Sequence, residues 1–188
     1  MFLHPADVAL CVADDGPRDE SGASPASTPI VQTSLFAYPT FAELVAALSG
    51  ERRHHVYSRG QNPTVEVAER KLAQLERGDI CKCFGSGMAA ISAVMTGMLQ
   101  TGDHVLFVNQ IYGPTLQLAQ HLRRFGIEHD VLLETDLPAI ERSLRSNTRL
   151  IWLESPGTML FRMVDLEAVA DLARSRGILT CIDNTWAT

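Results

Sequence analysis

From Tyr57 onward, apolar and polar positions repeat with a regularity that the preceding residues lack. Asn62-Pro63-Thr64 reads as a helix start with Pro in the first turn; Val65, Ala68, Leu72 and Leu75 follow at helical spacing and Gly78 stops the run. Short apolar runs at Ile80–Phe84, His104–Val108, Glu128–Leu133, Arg149–Glu154 and Ile178–Asp183 read as strands. Helical segments lie between them. Ser86 to Leu99 is mostly apolar, and Pro114–Arg124 aligns Leu118, Leu122 and Phe125. Asp136 caps a helix that runs to about Arg145, and Asp165 caps another that bears Leu166, Val169, Ala170 and Ala173 and ends at Gly177. This alternation, with near-continuously apolar strands, predicts an α/β fold: a mostly parallel sheet with helices on both faces. In such sheets ligands bind beyond the carboxyl ends of the strands, so function is sought just after Phe84, Val108, Leu153 and Ile182.

The earlier part of the chain reads differently. Residues 14–29, rich in Asp, Ser, Pro, Gly and Ala, cannot bury enough apolar surface to order themselves and are expected to form a flexible arm. Residues 30–56 are mixed, with one short helix at Phe41–Leu48 after Thr40. The expected organisation is therefore an extended, partly disordered N-terminal arm over 1–56 and an α/β domain over 57–188.

Composition narrows the function classes. A net charge of −6 argues against a nucleic-acid partner, because phosphate binding needs basic clusters. The one dense basic stretch, Arg52-Arg53-His54-His55, reads as a solvated loop or as a phosphate or metal contact. Four scattered cysteines make no disulfide framework. Cys81 and Cys83 would share a strand face, a poor bite for a metal, and Cys181 is mid-strand; buried reduced thiols are expected and no metal site is predicted. No apolar run is long enough to span a membrane, and Met1–Ala13 lacks a basic start and carries Asp7, so a cytoplasmic location is expected.

Four strand ends carry the candidate chemistry. Gly85-Ser86-Gly87-Met88-Ala89-Ala90 allows close backbone approach, and the amides opening the next helix face an anion. It also matches G-x-G-x-x-A, but the acidic residue that a dinucleotide site wants after the next strand is replaced by Asn109, so a phosphate cradle is the better reading. Tyr112 stands where a ligand-facing or a packing aromatic could stand, and Glu154-Ser155-Pro156-Gly157 forms a turn at the same edge. Asp183 either caps the turn that follows or pairs with a cation such as the protonated ring nitrogen of pyridoxal 5'-phosphate (PLP). Outside the alternating region, Tyr57 and Arg59 form a loop that is solvated or clamps a phosphate.

Together, Tyr57-Ser58-Arg59, Asn62-Pro63-Thr64, Gly85–Ala90, Gly102-Asp103-His104-Val105, Tyr112-Gly113, Glu154-Ser155-Pro156 and Asp183-Asn184-Thr185 resemble, in order and spacing, the Cys/Met-metabolism PLP enzymes of fold type I. The resemblance implies PLP as cofactor and an incomplete large domain of that fold. It implies that the Gly87 and Met88 amides hold the phosphate, that Tyr112 stacks on the pyridine and aids proton transfer, and that Asp183, with Thr185 beside it, pairs with the ring nitrogen. Tyr57 and Arg59 would reach the site of a neighbouring subunit, Tyr57 with a catalytic part, in a homotetramer built as a dimer of dimers. Glu154-Ser155-Pro156-Gly157 and Asp183-Asn184-Thr185-Trp186 are most similar to the bacterial cystathionine β-lyase branch. That implies transsulfuration chemistry in methionine biosynthesis: β-elimination of cystathionine, a sulfur amino acid, to homocysteine, pyruvate and ammonia. A γ-synthase or sulfhydrylase acting on an activated homoserine is the alternative within the family, and a non-catalytic remnant or binding module the alternative outside it. The family's Schiff-base lysine would lie some two dozen residues past Asp183, whereas this chain has only Lys71 and Lys82. The chain as it stands is therefore expected to be inactive and poorly soluble, with an open sheet edge.

Overall fold

The computed structural model describes residues 27–50 and 55–186. Most of the expected flexible arm, the Met1–Ala13 segment and Arg52-Arg53-His54 lie outside the described residues. The described residues divide into two compact units, one ending at Cys83 and the other beginning at Phe84. No described helix is long and apolar enough to cross a membrane.

The first unit carries two helices. Helix α1, Phe41–Leu48, opens with a capping box: the Thr40 hydroxyl accepts from the Glu43 amide at 3.3 Å and a Glu43 oxygen accepts from the Thr40 amide at 3.2 Å. Helix α2, Pro63–Leu75, is capped by Asn62, whose Oδ1 accepts from the Thr64 amide at 2.9 Å. The residue that turns left-handed after α2 is Arg77, at φ 54°, rather than the expected Gly78; the Gly78 amide closes the end on the Ala73 carbonyl at 2.8 Å. The strand expected at Ile80–Phe84 does not form. An apolar run becomes a strand only when a ladder partner takes its backbone groups, and none of the described residues pairs with it. Glu69 holds part of the segment instead. It accepts from Lys82 Nζ at 2.5 Å and the Cys83 amide at 3.0 Å, and these two bonds keep its carboxyl below the usual value.

The second unit is the α/β sheet. In chain order it runs α3 (Gly87–Met98), β1 (His104–Val108), α4 (Gly113–Leu122) with a 3-10 turn at Arg123–Phe125, β2 (Glu128–Leu132), α5 (Leu137–Ser143), β3 (Thr148–Glu154), α6 (Leu166–Arg176) and β4 (Leu179–Asp183). The caps are local in sequence: Asp136 accepts from the Ala139 amide at 3.0 Å, Asp165 from the Ala168 amide at 3.1 Å, and Gly177 ends α6 at φ 66°. All strand pairs are parallel, in the order β2-β1-β3-β4.

Alternation along β1 and β3 splits the core into two layers. Val105, Phe107, Leu150 and Trp152 pack with Ile91, Met95, Ala119 and Leu122 of α3 and α4. Leu106, Val108, Ile151 and Leu153 pack with Ile140, Val169 and Ala173 of α5 and α6. Both central strands are therefore apolar on both sides, as their sequence suggested. β1 leads outward to β2 and β3 leads the other way to β4, so the topology switches between β1 and β3.

Two polar groups brace the ends of this central pair. Beyond the carboxyl end of β1, Asn109 is fully buried at φ 78° and its Nδ2 donates to the carbonyls of Glu154 (2.9 Å) and Arg162 (2.8 Å). Gly157 lies so close that a Cβ there would meet Asn109 Nδ2 at 2.4 Å and Oδ1 at 2.8 Å. At the amino end, buried His104 has Nδ1 2.9 Å from the Thr148 hydroxyl and Nε2 3.2 Å from Asp130, which also meets Arg145 at 2.6 Å. Burial, with Arg145 beside it, pushes the His104 pKa down against the opposing pull of Asp130 and Glu128.

Gly157→Ala is expected to cost about 1–3 kcal/mol through overpacking against the Asn109 amide, read as a lower denaturant midpoint. The unfolded chain protonates its histidines near the ordinary value of about 6.5 and the folded chain lower, so the His104 contribution is complete above that value and is lost as pH falls through it toward the folded pKa. His129, pushed down by burial and then by Arg123, adds an effect of the same sign. The urea midpoint is expected to fall between about pH 7.5 and pH 5.5, and to fall less in His104→Gln; an unchanged slope in the variant would refute the assignment.

Candidate functional site

The parallel ladders bring strand tips to one edge: Val108 pairs with Leu153, Leu153 with Ile182, and Glu154 with Asp183. Side-chain alternation then decides which face each tip serves. Trp152 and Cys181 point into the α3–α4 layer, so Glu154 and Asp183, two residues on, emerge on that same face. There they border a cleft of about 610 Å³ at the switch point. Ser86, Gly87, Met88 and Ile91 line it from α3, Tyr112 from the start of α4, Pro156 to Met159 and Phe161 from the loop after β3, and Thr185 and Trp186 from the turn after β4.

The α3 end of the cleft suits an anion. The Ser86 hydroxyl accepts from the Ala89 amide at 3.1 Å, leaving the Gly87 and Met88 amides without intrahelical acceptors. No acidic residue lies in that first turn to oppose an incoming negative charge. The other end is anionic. One Asp183 oxygen accepts from the Thr185 amide at 3.2 Å and the Thr185 hydroxyl at 2.6 Å, which aims the carboxylate as a turn cap would. No basic side chain lines the cleft among the described residues. Cys181, below Asp183 on β4, is held protonated: burial first, and the Asp183 charge second, push its thiol up to about 11.

Tyr112, 46% exposed, stands at the α4 start and lines the same cleft. Glu154, only 8% exposed, accepts from the Tyr112 amide at 2.8 Å with one oxygen and from the Thr158 hydroxyl with the other. Gln110 adds two bonds to the same loop, its carbonyl to the Thr158 amide at 2.9 Å and its Oε1 to the Leu160 amide at 3.2 Å. Phe161 packs on Trp186 with ring centroids 5.1 Å apart, forming an apolar wall.

Of the residues singled out in the sequence, Gly87, Met88, Tyr112, Asp183 and Thr185 line this one cleft. Tyr57 and Arg59 belong to the first unit, where the Arg59 guanidinium lies 5.0 Å from the centroid of the Tyr57 ring. Two features were not anticipated. Asn109 entered the sequence argument only as a missing acid, yet it clamps the loop after β3. The wall of Met159, Phe161 and Trp186 was not anticipated as a wall: Trp186 had entered the sequence argument only as part of a family motif, and Phe161 not at all.

The cleft fits PLP in its donor set: free amides at a helix start for a phosphate, an exposed aromatic face for a ring, and an aimed carboxylate for a ring N–H. Comparison with known proteins agrees. The sequence pattern of the Cys/Met metabolism PLP-dependent enzymes matches residues 10–188. The chain is 36% identical to L-methionine gamma-lyase of Pseudomonas putida over 92% of its own length and 43% of that protein. It is 37% identical to cystathionine beta-lyase of Bacillus subtilis, covering 91% of itself and 42% of that protein. The chain thus spans less than half the length of these relatives. Among solved structures, metB of Corynebacterium glutamicum superimposes with a TM-score of 0.85 at 31% identity, over 98% of this chain and 46% of that one. A Campylobacter jejuni structure carrying pyridoxyl-lysine phosphate gives 0.83 at 28% identity, over 95% and 44%. The chain belongs to the PLP-dependent enzymes of cysteine and methionine metabolism.

Proposed function

We propose that these residues form the PLP-holding part of a carbon–sulfur lyase that carries out β-elimination of cystathionine to homocysteine, pyruvate and ammonia. The observation that carries the reading is the convergence of Gly87, Met88, Tyr112 and Asp183 on one cleft at the carboxyl edge of the sheet. The Gly87 and Met88 amides would bind the phosphate, adding the positive end of α3 to two hydrogen bonds. The Tyr112 ring would lie against the pyridine, and its hydroxyl would carry a proton toward the departing sulfur. Asp183, steadied by Thr185, would hold the ring N–H. Bound PLP supplies an electron sink for the negative charge that develops at the substrate α-carbon. The apolar wall of Met159, Phe161 and Trp186 would exclude water from that side of the cleft.

Tyr57 and Arg59 are proposed to serve the phosphate of a second copy of the chain, which makes each site a shared one in a dimer of dimers. The β-lyase reading rests on Glu154-Ser155-Pro156-Gly157 and Asp183-Asn184-Thr185-Trp186. A γ-elimination or replacement activity is kept as the second reading for a specific reason. The chain is as similar to methionine gamma-lyase (36%) and to O-succinylhomoserine sulfhydrylase of Pseudomonas aeruginosa (38%) as to the β-lyase (37%).

Supplied with cystathionine, the whole PLP-loaded protein is expected to release pyruvate and homocysteine. Release of 2-oxobutyrate and cysteine would transfer the assignment to the second reading. Asp183→Asn is expected to lower turnover on the order of a hundredfold or more, by removing the charge that keeps the ring nitrogen protonated; turnover near wild type would remove Asp183 from the site.

A further inference from the structure

Glu154 ends β3 directly beside Asp183 of β4, so two carboxylates leave neighbouring strands on the same face. Asp183 already has a task in the proposed site. Glu154 is the more buried of the two, and a carboxylate there costs several kcal/mol unless donors hold it. Its donors come from two different loops. The Tyr112 amide, from the loop after β1, donates at 2.8 Å, and the Thr158 hydroxyl, from the loop after β3, donates to the other oxygen. A strand-end glutamate of no consequence would point to solvent rather than bridge the two loops that flank the switch point.

The Tyr112 bond has a particular consequence. Tyr112 is the N-cap residue of α4, non-helical at φ −50° and ψ 124°, and has no side-chain cap bond of its own. Its Cα–Cβ direction, and hence the place of the ring, follows from the backbone that Glu154 holds. We infer that Glu154 is a positioning residue that sets where the Tyr112 ring stands in the cleft, an inference that rests on the cleft being the pyridine site proposed above. The bond to Thr158 adds a second hold on the same carboxylate, tying it to the loop after β3.

The test uses pyridoxamine 5'-phosphate, which needs no covalent link, and reads its dissociation constant from tryptophan fluorescence and its ring environment from induced circular dichroism. Glu154→Ala is expected to weaken binding about tenfold and to reduce the induced signal. Glu154→Gln is expected to bind like wild type: its amide oxygen accepts from the Tyr112 N–H and its NH2 donates to a Thr158 hydroxyl turned to accept. The deciding measurement is a double-mutant cycle. In a Tyr112→Ala background, Glu154→Ala should have little further effect, because the ring it positions is gone. An equal loss in both backgrounds, or no loss in either, would overturn the inference. If Glu154→Ala does not melt cooperatively, Thr158→Val takes its place in the cycle, with a smaller loss expected only when Tyr112 is present. Failure of the wild-type protein to bind the probe at all would instead overturn the cofactor site itself.

Discussion

The parallel pairing of β1 with β3, buried on both faces, is the constraint on which the site depends. Every backbone group of these strands must be taken up within the sheet, and their side chains fill two separate layers. Parallel strands cannot be joined by a tight turn, so the chain must leave each strand through a helix. It leaves β1 toward β2 and β3 toward β4. The loops therefore part above the central pair, and the gap between them is the cleft.

Polarity is imposed on that gap by position. Helix α3 presents its N-terminal amides at one side, and the tips of β3 and β4 present carboxylates at the floor. The arrangement is bipolar: an anion is favoured at one end and a cation at the other, and an aromatic face borders the same cleft. A ligand with a phosphate and a protonated heteroaromatic ring is the kind proposed above to meet both ends. Either end alone is an ordinary feature of many folds; the informative observation is that both border one cleft.

The polar bracing of the cleft departs from the local rules that the rest of the sheet obeys. Asn109 adopts a positive φ, leaves its Oδ1 buried without a hydrogen-bond partner, and requires glycine at 157. Such departures concentrate where structure serves a ligand rather than stability. The opposite end of the same strands is polar too, and there His104 Nε2 is likewise buried without a hydrogen-bond partner. His104, Thr148, Asp130 and Arg145 form a polar plug far along the strands from the cleft; His104 falls in a family motif, but no chemical role was read for it.

Helices α3 to α6, the four strands and the caps at Asp136, Asp165 and Gly177 were legible in the sequence, because periodicity and capping act over a few residues. Ser86, Asp136, Asp165 and Gly177 each do locally what their residue types suggest. The expected strand at Ile80–Phe84 failed for the complementary reason: its apolar run is local, but a strand exists only by pairing. The site divides in the same way. Position at an expected strand end marked Tyr112 and Asp183, and also Gly87 and Met88 although the strand expected before them does not form, whereas the bond from the Tyr112 amide to Glu154 and the bonds from Asn109 to the Glu154 and Arg162 carbonyls join residues some forty or more positions apart. The sequence by itself determined which residues could carry the chemistry and which edge they would occupy. Only the tertiary structure decided their spacing and orientation, because these depend on strand order, register and face, which no local pattern encodes.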